Sequence, residues 1–450
     1  MPDAMHPTGL EDFPALRHEL DRCMKCGFCM AVCPVYASEK TEGAVARGKI
    51  GIAEAVLAGD LALDDQEVID TLFNCLVCKS CLQNCPSGVR VDRIMLDLRV
   101  AIVQKNGLPW LKAAIFAGLR LPLLMDGMMR AGALLQGLVF RQDRRLRAIS
   151  PRSPFAFLFE DRLFPSPTAS PLRDRLPSLI PARDAQMRVA FFTGCSFHFF
   201  YPQTGLDLIE VLTQNHVEVA IPKDQQCCGI PVLVHGDAES ARTLARRNLD
   251  ALEQSGAQYI VTGCGSCGGA WQHEFAPLLA DDPVYGPKAA YWSARALDIS
   301  TFLTQVIGYR APQGQVQAVV TYHDSCHLKK SMKVSAEPRQ ILRAIPGVIF
   351  KEMARPDACC GSGGSYFLTH PQTSAAIAER KAADAAATGA SIVAMGCPAC
   401  MMQLLDTTHR FRTGQSVRHY ISLLAEAYRA ERLGQACRDS AQPTEHCRIE

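Results

Sequence analysis

Two stretches carry the strongest chemical signal in the sequence. Residues 23–34, CMKCGFCMAVCP, and residues 75–86, CLVCKSCLQNCP, each spell C-x2-C-x2-C-x3-C-P. In this run the first three thiolates wrap one corner of a cubane 4Fe-4S cluster, while the fourth, redirected by proline, reaches the other cluster of a pair. The ligand sets expected are Cys23, Cys26, Cys29 and Cys85 for one cubane, and Cys33, Cys75, Cys78 and Cys81 for the other. Zinc is the plainer alternative, because C-x2-C pairs also suit tetrahedral sites. Eight cysteines with two correctly placed prolines favour iron-sulfur chemistry.

Ten more cysteines form a repeated pattern. Cys195, Cys227, Cys228, Cys264 and Cys267 map onto Cys326, Cys359, Cys360, Cys397 and Cys400 with offsets of 131 to 133 residues. A closed zinc site uses four ligands, usually as two chelating pairs. Here each copy offers five thiols, two of them adjacent in sequence, which would strain to grip one small ion but could reach two irons of a larger cluster. The glycine after each pair permits close backbone approach. Each copy is therefore read as a cluster site with an unusual ligand set; zinc in one copy and a strained vicinal disulfide remain as alternatives.

The elements that must position these thiols follow from the hydrophobic pattern. Each copy reads as a strand (RVAFFTG; VQAVVTYH), a helix (TGLDLIEVLTQ; AEPRQILRAI), a second strand (VEVAI; GVIFKE), the Cys-Cys-Gly, a helix (237–254; 371–388) and a third strand (QYIVTG; SIVAMG) ending in Cys-x-x-Cys. Strands alternating with helices predict parallel right-handed crossovers, hence two α/β units with ligands beyond the carboxyl ends of the strands. The expected fold class is α/β: an N-terminal helical two-cluster domain resembling bacterial ferredoxin, followed by two repeated cysteine-rich modules. The expected layout is 1–106 for the ferredoxin-type domain, 107–187 for a helical segment and proline-rich linker, 188–312 and 313–432 for the modules, and 433–450 for a tail holding Cys437 and Cys447.

Composition narrows the function classes. The chain has 450 residues, 20 of them cysteine, with an apolar share of 48% and a formal net charge of +2. That length supports several cores, so the cysteines are not needed as the staples of a small secreted scaffold. The near-neutral charge gives no global field for nucleic acid. Residues 1–20 lack the charged and apolar regions of an export signal, which leads to the expectation of a cytoplasmic protein, at the inner face of the membrane at most. The apolar stretch 107–140 is cut by Arg120, Pro122, Asp126 and Arg130, too short a run to span a bilayer. Its amphipathic character suits burial, a partner interface or peripheral membrane contact. The basic run Arg141, Arg144, Arg145, Arg147 and Arg152 is read as a solvated linker face.

Other signals carry less. Gly263 to Gly268 matches G-x-G-x-x-G after a strand, but the other copy reads GCPAC and loses the later glycines, so a dinucleotide site is rejected. The GSGGS at 361–365 fails the same pattern at Tyr366. His323 and His327 flank Cys326 and are read as groups that order the loop or tune a cluster by hydrogen bonding. His198, His235 and His370 follow cysteine motifs and receive no role.

With these residues in view, the sequence resembles the iron-sulfur subunit of glycolate oxidase and its relatives, among them lactate-utilisation iron-sulfur proteins, a subunit of anaerobic glycerol-3-phosphate dehydrogenase and the catalytic subunits of heterodisulfide reductase. The resemblance rests on the two ferredoxin runs, on CPSGVRVDRI at 85–94, and on the two Cys-Cys-Gly modules, particularly CCGSGGSYFLTHP at 359–371. It implies a protein that passes electrons, taken from glycolate or lactate by a separate FAD-bearing subunit, to a quinone or another acceptor, and that is inactive on the acid alone. It further implies non-cubane clusters on the module cysteines, in addition to the two cubanes. The completeness of the ten module cysteines keeps a heterodisulfide-reductase-like thiol/disulfide oxidoreductase as an alternative; a zinc-bearing scaffold is a third. The family's Gly-Pro-Arg-Gly stretch appears here as Val45-Ala46-Arg47-Gly48, a loop difference that leaves the cluster ligands untouched.

Overall fold

The computed structural model describes residue 10 and residues 13–143, 145–152 and 162–439. Arg144 and Cys447, and the side chain of Cys437, lie outside the described residues. The chain divides into two units. Unit 1 comprises Met1–Met125, Cys227–Arg246 and Cys359–Glu379; unit 2 comprises Asp126–Gln226, Arg247–Ala358 and Arg380–Glu450.

Unit 1 is helical. In chain order it contains α1 (Pro14–Asp21), α2 (Phe28–Val32), α3 (Pro34–Glu39), α4 (Ala46–Ala58), α5 (Gln66–Phe73), α6 (Ser80–Gln83), α7 (Val91–Asn106) and α8 (Trp110–Leu119). Helix α7 is the central rod: Val91, Ile94, Met95, Leu98, Ala101 and Ile102 recur at three- and four-residue spacing and are buried against Leu16, Leu20, Ile50, Ala53, Val56 and Leu72. Each of the valine, leucine, isoleucine and methionine side chains among them contributes about 1.5–3 kcal/mol by leaving water. The two Cys-Cys-Gly segments also belong to this unit. A Cβ on Gly229 would sit 3.4 Å from the Cα of Ala241, and one on Gly361 would sit 2.7 Å from the Ser374 carbonyl oxygen. Both glycines have φ above +75°. The left-handed backbone favours glycine after both cysteine pairs, and at Gly361 the helix packed against it leaves no room for a Cβ as well.

Unit 2 holds three sheets. The strands are β1 (Phe140–Asp143), β2 (Ala148–Pro151), β3 (Phe164–Pro165), β4 (Leu179–Ile180), β5 (Met187–Phe191), β6 (Val217–Ala220), β7 (Tyr259–Thr262), β8 (Ala296–Asp298), β9 (Ala318–His323), β10 (Val348–Phe350), β11 (Ile392–Met395) and β12 (Ser416–His419). The first module sheet has the order β4-β6-β5-β7-β8 and the second β10-β9-β11-β12. All module pairings are parallel except that of β4, so after removing this edge strand the two sheets share one order. The α/β repeat expected from the sequence is present, with a fourth parallel strand in each copy, β8 and β12, that the pattern did not announce. The segment read as a proline-rich linker supplies β2, β3 and β4 and buries Leu172 and Arg173. Helix α9 (Pro122–Val139) buries little besides Ala133, and Leu123, Leu134 and Leu138 stand at least 70% exposed. No described helix is long and apolar enough to cross a membrane.

Buried ion pairs fix the loop that carries Cys326. Arg339 makes a fork to Asp324 at 2.8 and 2.9 Å and another to Glu352 at 2.7 and 2.9 Å. Asp324 is 1% exposed, and its second cation, Lys329, is farther off at 3.6 Å. Substituting Arg339→Met therefore leaves a buried carboxylate with one distant cation and the Ser335 hydroxyl at 3.2 Å. The expected cost is about 3 kcal/mol, read as a lower denaturant midpoint of the full chain, whereas Arg343→Met, at an exposed cation, should move it by less than about 0.5 kcal/mol.

Candidate functional site

The two ferredoxin runs fold alike. Residues two and four places after the first cysteine of each run, Lys25 and Gly27 in one, Val77 and Lys79 in the other, all have left-handed φ, between 49° and 85°. Three of the four are not glycine, and Val77 is β-branched, a combination that costs about 1–3 kcal/mol each unless the surroundings impose it. The chain winds the same way around both thiol groups. Helices α2 and α6 start at the glycine or lysine of this turn, and Cys33 caps α3, its sulfur accepting from the Tyr36 N–H at 3.5 Å.

Two cavities result. One is lined by Cys23, Cys26, Cys29, Cys81 and Cys85, the other by Cys33, Cys75, Cys78 and Cys81. Cys85 thus stands with the first run and Cys33 with the second; Cys81 borders both. Burial pushes the Cys33 thiol up to about 11, and raises Cys29 and Cys81 as well. Backbone N–H groups of Val77 and Val89 donate to Cys75 and Cys85 at 3.5 and 3.4 Å. The Cys29, Cys33 and Cys81 thiols are hard to ionise on their own, and Cys33, Cys75 and Cys85 receive amide donors suited to thiolate. Such a donor set fits a group whose iron supplies the missing positive charge, and N–H to sulfur bonds are among the features that set a cluster's potential.

Cations surround the second cavity. Lys49, 1% exposed, lines it and donates to the Gly43 carbonyl at 2.5 Å; no carboxylate among the described residues pairs with it. Lys79 lies 3.2 Å from Asp92. Arg99, 3% exposed, donates to the carbonyl oxygens of Leu72, Phe73, Cys75 and Val234 at 2.8 to 3.3 Å. The last of these carbonyls belongs to the first Cys-Cys-Gly segment.

The ten module cysteines are shared between the units. Cys227, Cys228, Cys359 and Cys360 lie in unit 1; Cys195, Cys264, Cys267, Cys326, Cys397 and Cys400 lie in unit 2. Within unit 2, Cys195 and Cys264 follow the carboxyl ends of β5 and β7, and Cys326 and Cys397 those of β9 and β11, the adjacent central strands of each sheet. The Cys195 loop is held by Gln225, whose side chain accepts from Thr193 N–H at 2.7 Å and donates to the Phe191 carbonyl at 3.1 Å. The two modules meet at equivalent cysteines: the Cys264 and Cys397 sulfurs are 4.0 Å apart, and beside them Gly265 N–H donates to the Gly396 carbonyl at 3.2 Å. The Cys264 thiol donates to Cys397, holding the latter's pKa well below the usual thiol range. His327 reaches this pair through Ser266, 3.3 Å from its Nδ1 and 3.7 Å from the Cys397 sulfur. His323 is fully buried; burial pushes it down to about 3, so its imidazole is neutral. The glycines of the G-x-G-x-x-G stretch are packing positions. A Cβ on Gly263 would meet His419, on Gly265 the Leu328 backbone and on Gly268 the Met332 sulfur, leaving no phosphate cradle.

Sequence reasoning missed a group of residues gathered from four segments of unit 1. Phe73, Arg99, Lys112, His235, Tyr366 and His370 line a cavity of about 510 Å3 together with Cys75. Spacing gave no signal for them, because they are scattered over separate elements. The nearest hint was that His235 and His370 each follow a Cys-Cys-Gly by several residues. With both cubane clusters bound, Lys49→Met removes a buried positive charge beside Cys33 and Cys75. The expected result is a more negative midpoint potential for that cluster, on the order of tens of mV, with a smaller change at the other, measured by EPR-monitored redox titration.

Comparison with known proteins agrees with this geometry. The 4Fe-4S dicluster domain family matches residues 19–89, and the cysteine-rich domain family matches residues 189–271 and 320–405. A probable glycolate oxidase iron-sulfur subunit of Bacillus subtilis is 32% identical over 424 residues, covering 91% of this chain and 94% of that protein. A subunit of the dihydromethanophenazine:CoB–CoM heterodisulfide reductase of Methanosarcina mazei is 28% identical, over 91% of this chain and 94% of its own. Lactate utilization protein A 2 of Bacillus cereus is 28% identical over 53% of this chain and 98% of its own. Among solved structures, a hypothetical protein from Helicobacter pylori superposes with a TM-score of 0.50 at 8% identity, over 93% of this chain and 75% of its own, a likeness of fold. The extent of the Bacillus subtilis match, together with the two domain families found along the sequence, shows that the chain belongs to the glycolate oxidase iron-sulfur subunit family.

Proposed function

We propose that the chain is the electron-transfer subunit of a complex that oxidises a 2-hydroxy acid, glycolate or lactate, with the oxidation itself performed by a partner subunit that carries FAD. The observation that supports this reading is that Cys85 lines a cavity with Cys23, Cys26 and Cys29, and Cys33 one with Cys75 and Cys78, while Cys81 borders both. Cys23, Cys26, Cys29 and Cys85 would hold one cubane cluster, and Cys33, Cys75, Cys78 and Cys81 the other. Bound there, the clusters supply one-electron redox chemistry. The chain's own contribution is to bury them, direct amide hydrogens at their thiolates and place Lys49 and Arg99 nearby to favour the reduced state. The repeat cysteines of the two modules are proposed as ligands of further, non-cubane clusters, on the strength of the repeat and the family match. Electrons leave to a quinone or another acceptor, and the site of action is the cytoplasm or the inner face of its membrane.

A second reading is a thiol/disulfide oxidoreductase, favoured by one feature: the Cys264 and Cys397 sulfurs face each other at 4.0 Å in unit 2. Reducing a disulfide consumes two electrons and two protons, which a cluster relay and solvent could furnish.

Anaerobic co-purification with the flavoprotein partner separates the two. The relay reading expects bound flavin, about eight irons per chain from the cubanes alone, and bleaching of the iron-sulfur absorbance when glycolate or lactate is added. Clusters that stay oxidised with both acids while the flavin is reduced would sink it. Zinc without iron would do so too.

A further inference from the structure

Unit 1 contains a cavity of about 510 Å3 to which the relay assigns no use, although Cys75 forms part of its wall. Its size suits a ligand of a few tens of heavy atoms, well beyond a two- or three-carbon acid. We propose that this cavity binds a lipid-soluble quinone, which takes electrons from the chain beside Cys75. The proposal rests on the relay reading and names its acceptor site.

Four features of the wall match that chemistry. The faces are aromatic: Phe73 on one element, and elsewhere Tyr366 and His370, whose rings stack at 4.5 Å and 8°. Tyr366 and His370 cover one face of each other and Phe73 carries Arg99 over its ring at 4.9 Å, so a flat conjugated ring packs against the remaining faces and edges. Two groups can donate to carbonyl oxygens: the Lys112 ammonium, and His235 Nδ1 in the tautomer whose Nε2 accepts from the Ser365 hydroxyl. Lys112 has no carboxylate partner among the described residues, and the buried Nδ1 of His235 has no hydrogen-bond partner, its other nitrogen being held by Ser365 at 2.5 Å. Charge favours reduction: Lys112 and the buried Arg99 line the cavity, against a single carboxylate, the exposed Asp70, so electron density gained by the ring is stabilised. The approach is apolar. Lys112 sits in the first turn of α8, the helix on which Trp110, Leu111 and Ile115 are 80%, 55% and 53% exposed. A soluble acceptor would not need such an apron, whereas a ligand delivered from lipid would.

The chemistry balances with components already named. Each quinone accepts two electrons, one at a time, and two protons, converting both carbonyls to hydroxyls. The electrons originate in the 2-hydroxy acid, the cluster that Cys33, Cys75, Cys78 and Cys81 would hold would supply them one at a time, and the protons come from water.

The test uses the anaerobically purified, iron-loaded full chain and two probes, decyl-ubiquinone for equilibrium binding and an azido-quinone for photolabelling. Saturable binding of one quinone per chain is expected, with label recovered between Arg99 and Lys112 or between Gly363 and His370. Lys112→Gln should weaken binding about tenfold, Lys112→Arg should restore most of it, and Leu108→Trp, which fills the cavity, should abolish it. Iron content and dithionite bleaching report whether each variant has folded. A fully iron-loaded protein that binds no quinone, that is labelled elsewhere, or whose affinity is unmoved in both Lys112→Gln and Leu108→Trp overturns the pocket assignment while leaving the relay intact. A protein that never holds iron at the ferredoxin cysteines overturns the relay and this inference together.

Discussion

A single buried guanidinium organises unit 1. Arg99 projects from the middle of α7 and has no carboxylate partner among the described residues; it spends its donors on the carbonyls of Leu72, Phe73, Cys75 and Val234. Three of these carbonyls close the end of α5 and open the second ferredoxin run, so the loop that must wrap its thiols is pinned to the central helix before any metal enters. The fourth pins the first Cys-Cys-Gly segment to the same point. Five charge-assisted hydrogen bonds compensate a desolvated cation only where the geometry is good. The remaining positive charge fits the proposal that Cys75 serves as a thiolate in an anionic cluster.

The same economy recurs in unit 2. Its two modules repeat one strand order, and the equivalent residues Cys264 and Cys397 meet. Such pairing is the expected outcome when a duplicated unit packs through its own matching face, the intramolecular counterpart of an isologous dimer contact. The interlock extends beyond the thiols. His419 donates to the Gly263 carbonyl at 2.7 Å, and the Tyr420 hydroxyl, on the helix that follows β12, reaches the N-capping Asp298 at the end of β8 at 2.9 Å. The fourth strand of each copy therefore serves as more than an edge: it delivers the residues that fasten one module to the other.

How much of this was legible depended on whether the information was local. The ferredoxin runs and the α/β repeat announce themselves because cysteine spacing and alternation of strand with helix are local patterns. Strands β8 and β12 escaped notice because three or four residues between helices leave too little alternation to detect. The proline-rich stretch suggested a linker by composition, yet Leu172 is fully buried and β4 adds to a sheet edge, the one place where neighbouring prolines do no harm. The apolar segment 107–140 was legible in period but not in fate: Leu123, Leu134 and Leu138 remain in solvent, and sequence alone does not say what covers an apolar face. The convergence of Lys112, His235, Tyr366 and His370 was hidden for a different reason, since their meeting is a property of the fold.

The central claim is that the two ferredoxin runs exchange their fourth ligands, so that neither cluster belongs to one run. The direct measurement is the low-temperature EPR spectrum of the reduced chain in two variants, Cys33→Ser and Cys85→Ser, each compared with Cys78→Ser and Cys26→Ser. Crossed ligation predicts that Cys33→Ser perturbs the same signal as Cys78→Ser, and Cys85→Ser the same signal as Cys26→Ser. If Cys33→Ser instead matches Cys26→Ser, the runs are self-contained and the account is wrong.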